Sequence, residues 1–395
     1  MPPFDTPDEA GQTTDIQPIL TQIVARVFEI EQITWATQKE KHLVRFVGHL
    51  RMDSQQAYDQ LAAQLKPHRV VPLFREENGQ QVIVLLNGTL ETKPTNPWIN
   101  LILFLITLAS TVFVGYTYDG NWLNGVWYAM SILAILLAHE FGHYLAARYH
   151  GCHVTLPYFI PMPLPGSFGT MGAFIQLREP PKNRRVLHDI GVAGPLAGLV
   201  IAVPVLILGL SLSKLGHIPW RFESGEGIML EGNSLLYLGL KYLVFGEVLP
   251  HPVSFWGGSP VLYWLRYFFT GQPAPLGALD VTLHPIAWAG WVGLLVTALN
   301  LIPAGQLDGG HTLFVLIGQR ARAVLPIILV SLVLLGVFWN GWWLWAALIF
   351  FLGRTYAEPL DMITTLDARR KWIARFTLLM FVLVFIPVPL TVILG

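Results

Sequence analysis

The run His139-Glu140-Phe141-Gly142-His143 sets two imidazoles four positions apart, with a carboxylate beside the first. On a helix, positions i and i+4 share one face, so both rings can reach a single ion. Zinc suits imidazole nitrogen, and a catalytic zinc keeps three protein ligands and one position open to water. Glu140 stands where the general base for that water belongs. The chemistry this set supports is metal-assisted hydrolysis: the ion acidifies a water, and Glu140 takes its proton and passes one to the leaving amine.

Two histidines leave such a site one ligand short. Asp308, within the apolar stretch VTALNLIPAGQLDGGHTLFVLIG, is the acidic group best placed to complete it. Taken alone, Asp308 could equally cap the helix that follows it. Beside an incomplete histidine pair it reads as the third ligand. His311, three residues on, reads as a neighbour of the site or a cap, because three ligands and a water already fill it. His150, His153, His188 and His284 fall at expected helix ends or loops and read as interfacial.

The elements that must position these residues are membrane helices. Of 395 residues, 53% are hydrophobic and only 13% charged, against about 25% charged in a soluble domain. Mean hydropathy is +0.51. The histidine pair itself lies in SILAILLAHEFGHYLAARYH, and ionisable groups inside a spanning segment are functional by default. Apolar stretches run at about 98–116, 123–147, 190–213, 285–303, 322–338, 342–353 and 373–394, and several reach the roughly 20 residues that crossing a bilayer requires. The expected fold is mainly α: a polytopic bundle of six or seven spans with a small N-terminal α/β domain.

Basic residues set the expected orientation. With the N-terminus inside, Arg148, Arg178, Lys182, Arg184, Arg185 and the cluster Arg369–Lys371 face the cytosol, while the long outer loop 214–284 holds only Lys214, Arg221, Lys241 and Arg266. Residues 1–18 read as a disordered acidic tail and 19–92 as a β-β-α-β-β domain. Residues 98–320 read as the membrane core, and 321–395 as further membrane helices. The strand-like start of the N-terminal domain is VARVFEIEQITWA, and its helix opens at a capping Asp53. The stretch 154–180 is apolar but rich in Pro and Gly, so it reads as a re-entrant loop with a hairpin turning near Gly166–Gly169. An exposed edge there could pair with an extended substrate strand.

Here the motifs take on a family likeness. HEFGH inside a span, followed by LDGG with Asn300 and Pro303 before it, resembles the site-2 protease family of intramembrane metalloproteases. GTMGAF (169–174), AGPLAG (193–198) and LHPIAWAGW (283–291) resemble the branch found in cyanobacteria, other bacteria and chloroplasts. The resemblance implies one zinc held by His139, His143 and Asp308, with Glu140 catalytic. It implies a transmembrane-helix protein as substrate, cut by regulated intramembrane proteolysis, and a multi-pass protein of a bacterial plasma membrane with a cytosolic N-terminus. Asn300, whose amide offers donors and an acceptor, then becomes a candidate for the substrate backbone. Pro303 would break the fourth span and make room near the metal.

Other classes are disfavoured. Equal numbers of basic and acidic residues, 25 each, give no field for nucleic acid. The single Cys152 excludes an intrachain disulfide. The N-terminal residues carry no pattern of a cleaved signal or transit peptide. A metal-ion transporter, or a non-proteolytic scaffold, could use the same His and Asp residues; Glu140 separates them from a peptidase. Oligomeric state is not legible.

Overall fold

The computed structural model describes residues 13–36, 42–89, 96–255 and 258–395. Helix α1 (Thr13–Ala25) opens the described chain. It corrects two expectations. The disordered tail cannot extend to residue 18, although residues 1–12 lie outside the described residues. The stretch read as a strand from Val24 is helical to Ala25, because Leu20, Ile23 and Val24 fall at helical spacing and are buried together. Strands β1 (Phe28–Trp35), β2 (His42–Leu50), β3 (Val70–Glu77) and β4 (Gln80–Asn87) form an antiparallel sheet in the order β1-β2-β4-β3. Helix α2 (Ser54–Leu65) begins at Asp53, whose side chain accepts from the amides of Gln55 and Gln56. Both helices share a core with the sheet around Phe28, Phe46, Leu61 and Phe74.

Helices α3 (Pro97–Thr117), α4 (Trp122–Tyr149) and α5 (Arg184–Ser211) are long and apolar enough to cross a membrane. Their outward faces are exposed and apolar, as at Ile102, Leu105, Met130 and Val200. Helix α8 (Pro285–Asn300) packs with α4 and α5 around Ile132, Leu136, Leu206 and Leu294. Small residues let these backbones close in: a methyl on Gly209 would meet the Ala287 amide at 2.2 Å.

Between α4 and α5 the chain forms a hairpin of β5 (Tyr158–Met162) and β6 (Gly169–Phe174). It lies alongside α3 from base to tip. Asn100 Nδ2 donates to the Leu156 and Pro157 carbonyls, Ser110 Oγ to Gly169 O, and the Tyr118 hydroxyl to Ser167 O. Tyr128 of α4 donates to Phe168 O at 2.8 Å.

After α5, β7 (Lys214–His217), β8 (Gly227–Glu231), α6 (Leu235–Phe245), α7 (Pro260–Thr270) and β9 (Leu279–Thr282) build an outer segment. Beyond α8 come α9 (Asp308–Ile317), α10 (Leu325–Leu335), α11 (Gly341–Leu352) and α12 (Ala368–Val384). The expected six or seven spans are met by three helices of spanning length; α8, α11 and α12 have 16, 12 and 17 residues. Helices α9 and α10 pass the length test only together, bent by 81°. The last apolar stretch does not stay helical to residue 394. Pro387 and Pro389 cannot continue the ladder, and the chain becomes β10 (Leu390–Leu394), paired with β8.

Candidate metal centre and active site

The site joins one face of α4 to the turn between α8 and α9. Helix α4 presents His139, Glu140 and His143 on its buried side. Asp308 arrives from the turn after α8. There a methyl on Gly309 would fall 1.9 Å from Leu301 O, and one on Gly310 would fall 2.4 Å from Gly305 O. Two successive glycines therefore let the first turn of α9 press against the end of α8. That close fold carries Asp308 to α4. The helix N-cap position is Leu307, and Asp308 sits in the first turn with its carboxylate directed at the histidines. Asp308 therefore does not cap α9, and its carboxylate is free to face the histidine pair.

His139 Nε2 lies 3.2 Å from Asp308 Oδ2, His143 Nε2 lies 3.4 Å from the same oxygen, and the two Nε2 atoms are 3.2 Å apart. Ligands at about 2.0–2.1 Å from a tetrahedral ion stand roughly 3.3 Å from one another. The three edges fit that figure, so these residues form a group able to hold a metal ion. His143 donates its Nδ1–H to Ile190 O at 2.7 Å, which fixes the tautomer and turns Nε2 to the ligand side.

Sequence reading found these four residues but missed what α5 does for them. A methyl on Gly194 would fall 2.0 Å from His143 Nε2, and one on Gly198 would fall 3.2 Å from His139 Nδ1. AGPLAG is thus the surface against which both rings lie. Its glycine spacing was the available signal; the Ile190 carbonyl left none.

Glu140 is buried and lines a cleft of about 280 Å³ shared with the three metal-binding candidates, Ala173–Ile175 and Ala357. Strand β6 pairs with no strand but β5 among the described residues, and its end at Ala173 and Phe174 lines this cleft. Asn300 Nδ2 stands 3.5 Å from His139 Nε2, beside the metal locus. Pro303 lies in the turn after α8 and is not among the residues that line the cleft. His311 lines the cleft without joining the metal-binding group. Of the histidines read as interfacial, His150 pairs with Asp189 and His153 with Glu179, at 2.9 and 3.0 Å. His284 caps α8. His188 corrects its interfacial reading, being 1% exposed and bonded to Asp189 within α5.

Spanning-length helices with an HExxH pair and a distant aspartate converging on one point define a membrane-embedded metal-binding protein with the donor set of a metallohydrolase. Residues 127–338 match the model of peptidase family M50, and the chain belongs to that family. "Probable zinc metalloprotease EGY2, chloroplastic" of Oryza sativa subsp. indica is 27% identical over 372 residues, covering 88% of this chain and 62% of its own length. "Probable zinc metalloprotease EGY1, chloroplastic" of Arabidopsis thaliana is 30% identical over 332 residues, covering 75% of this chain and 55% of its own. The chain therefore spans about three-fifths of the length of the curated relatives it matches. No solved structure matches it.

Proposed function

We propose that this chain is an intramembrane zinc metalloendopeptidase that hydrolyses a peptide bond within or near a transmembrane segment of a membrane-protein substrate. The observation that carries the reading is the set of three edges of 3.2–3.4 Å among His139, His143 and Asp308, with Glu140 in the same cleft. When bound, zinc supplies the charge that acidifies a water and polarises a carbonyl. Glu140 accepts the water proton on its carboxylate and returns a proton to the leaving nitrogen. Asn300 offers an amide N–H beside the metal locus to the substrate carbonyl oxygen.

A spanning helix hides its peptide bonds in its own hydrogen bonds. The free edge of β6 meets that problem by offering a backbone ladder to a locally extended substrate. Pro303 ends the α8 helical path before the turn that delivers Asp308.

The reading includes seven crossings with the N-terminal domain on the basic, cytosolic side. Arg370 at the start of α12 holds Asp189 near the start of α5, and α12 leads to β10 on β8, beyond the end of α5. Helix α12 thus covers the depth of α5. The α10–α11 hairpin reaches the same far level, since Trp342 Nε1 donates to Pro387 O. The membrane is that of a bacterium, or of a plastid like those named for the relatives, and the substrate is a single-span protein released by regulated cleavage.

The test pairs metal analysis of the purified chain with cleavage of a model transmembrane peptide. Wild type and Glu140→Gln should hold zinc equally, and the variant should lose about 10²–10⁴-fold in turnover. Undiminished cleavage by Glu140→Gln would remove Glu140 from the reaction.

A further inference from the structure

Outside the stretch matched by the family model, one segment touches both the cleft and the N-terminal domain. Residues 353–367 connect α11 to α12 as a strap of irregular chain. Connections this long are uncommon unless they serve a function. Near its start the strap is braced on the metal-bearing turn and on α9. Gln306 Nε2 donates to Thr355 Oγ1 at 2.8 Å, and the Tyr356 ring stacks on Phe314 at 5.3 Å. Ala357 comes next and lines the cleft.

Glu358 pairs with Arg322 at 3.0 Å, and beyond it the strap also joins the N-terminal domain. Arg75 of β3 donates one nitrogen to the Pro359 and Leu360 carbonyls, at 3.1 and 2.9 Å, and faces Glu358. Phe74 N–H donates to Leu360 O, and Met362 N–H donates to Phe74 O, so the strap adds to the edge of β3. Leu360 enters the core of the domain. On its other side the strap pairs with residues 181–183, which lead into α5. Asp361 is fully buried and accepts from Ser54 Oγ of α2 at 2.9 Å. The strap is thus a strand gripped between the N-terminal sheet and the entry to α5, and its residue at the cleft, Ala357, packs on the cluster of Leu187 and Phe314 and carries a single methyl group.

We propose that Ala357 is a specificity-determining residue, and that the N-terminal domain, by clamping the strap through Arg75, Phe74 and Ser54, sets how large a side chain the cleft admits beside the scissile bond. The proposal rests on the peptidase reading for its substrate. The wall itself does not depend on it. A wall held only by its own chain would yield to a bulky side chain. This wall is braced on α9 from one side and tied to a domain with a core of its own from the other, so its position is fixed in part from outside the membrane bundle. Enlarging Ala357 should narrow the cleft, and loosening the clamp should widen it.

Two measurements on the full-length protein test this. The first is the ratio of kcat/KM for two model transmembrane peptides, with leucine or alanine flanking the cleaved bond. Ala357→Leu should lower the leucine-to-alanine ratio by at least about tenfold, the lower bound for one methylene in an apolar pocket, with zinc content unchanged. Arg75→Ala should raise it. The second needs no activity. In a Cys152→Ser background, Ala357→Cys should react with a small maleimide faster when Arg75→Ala is added, and amide exchange over 354–364 should quicken. Ser54→Ala provides a milder second loosening. An unmoved peptide ratio in Ala357→Leu overturns the specificity role. Unchanged labelling and exchange in both loosened variants overturns the clamp. Failure of wild type to cut any peptide would sink the peptidase reading, and with it the specificity role, while the labelling result still decides the clamp.

Discussion

A methyl group built on Gly194 would lie 2.0 Å from His143 Nε2, the atom that faces Asp308. Glycine inside a helix is normally less favourable than alanine by about 0.5–1 kcal/mol. Gly194→Ala should therefore favour α5 as a helix and displace the imidazole. We expect zinc affinity to fall by about 10–100-fold, the range for disturbed support of a metal ligand. Competition against a chromophoric chelator measures it, and wild-type affinity in the variant would contradict the packing role of AGPLAG.

Asp308 Oδ2 lies within 3.4 Å of the Nε2 atoms of both imidazoles. Asp308→Ala should purify with little zinc and cleave nothing, whereas wild type stripped by a chelator should regain cleavage when zinc is returned. Zinc retained at wild-type stoichiometry in Asp308→Ala would place the third ligand elsewhere.

Asn300 touches the metal locus with a donor, not a ligand atom. Asn300→Ala should lower kcat by about 10²–10³-fold, as loss of an oxyanion donor does, with zinc content intact. Asn300→Asp keeps the shape without the donor and should fall with it. Near wild-type kcat in Asn300→Asp would make the residue structural.

Glu231 belongs to a buried group in the outer segment: Lys241 Nζ lies 3.9 Å from it, and the Tyr237 hydroxyl donates to it at 2.9 Å. Burial, aided by Asp280, outweighs the Lys241 charge and pushes the Glu231 carboxyl from 4.5 up to about 7. The folded chain then binds this proton more tightly than the unfolded chain. Stability from this group is full below 4.5 and declines as pH rises to about 7. Glu231→Gln should flatten that slope in thermal unfolding between pH 4 and 8, leaving the part due to Asp280, whose carboxyl burial also raises. An unchanged slope would assign the pH dependence elsewhere.

What was legible in the sequence was local. Four-residue spacing puts His139 and His143 on one face wherever the helix lies, and the apolar runs of α3, α4 and α5 announce their own length. Contacts between distant stretches leave no such period. Nothing near Phe74 anticipates its pairing with Leu360 and Met362, and nothing near Ile190 marks its carbonyl as the partner of His143. Helix α1 escaped because Val24 begins a run that alternates like a strand only after Phe28. The break between α10 and α11 was legible, since the apolar stretches 322–338 and 342–353 stop short of one another, but hydropathy records composition and not the 81° bend between α9 and α10.

The hairpin of β5 and β6 is pinned to α3 at its base by Asn100 and near its tip by Tyr118. A strand fastened at both ends cannot swing out to meet a guest. On the proposed reading, the deformation then falls on the incoming polypeptide, which must melt its own coil before it can align. Segments that already carry glycine or proline near the cut, and so resist coiling by about 1 and 3 kcal/mol per residue, would be the ones processed fastest, and a tightly wound leucine-rich segment would pass by intact.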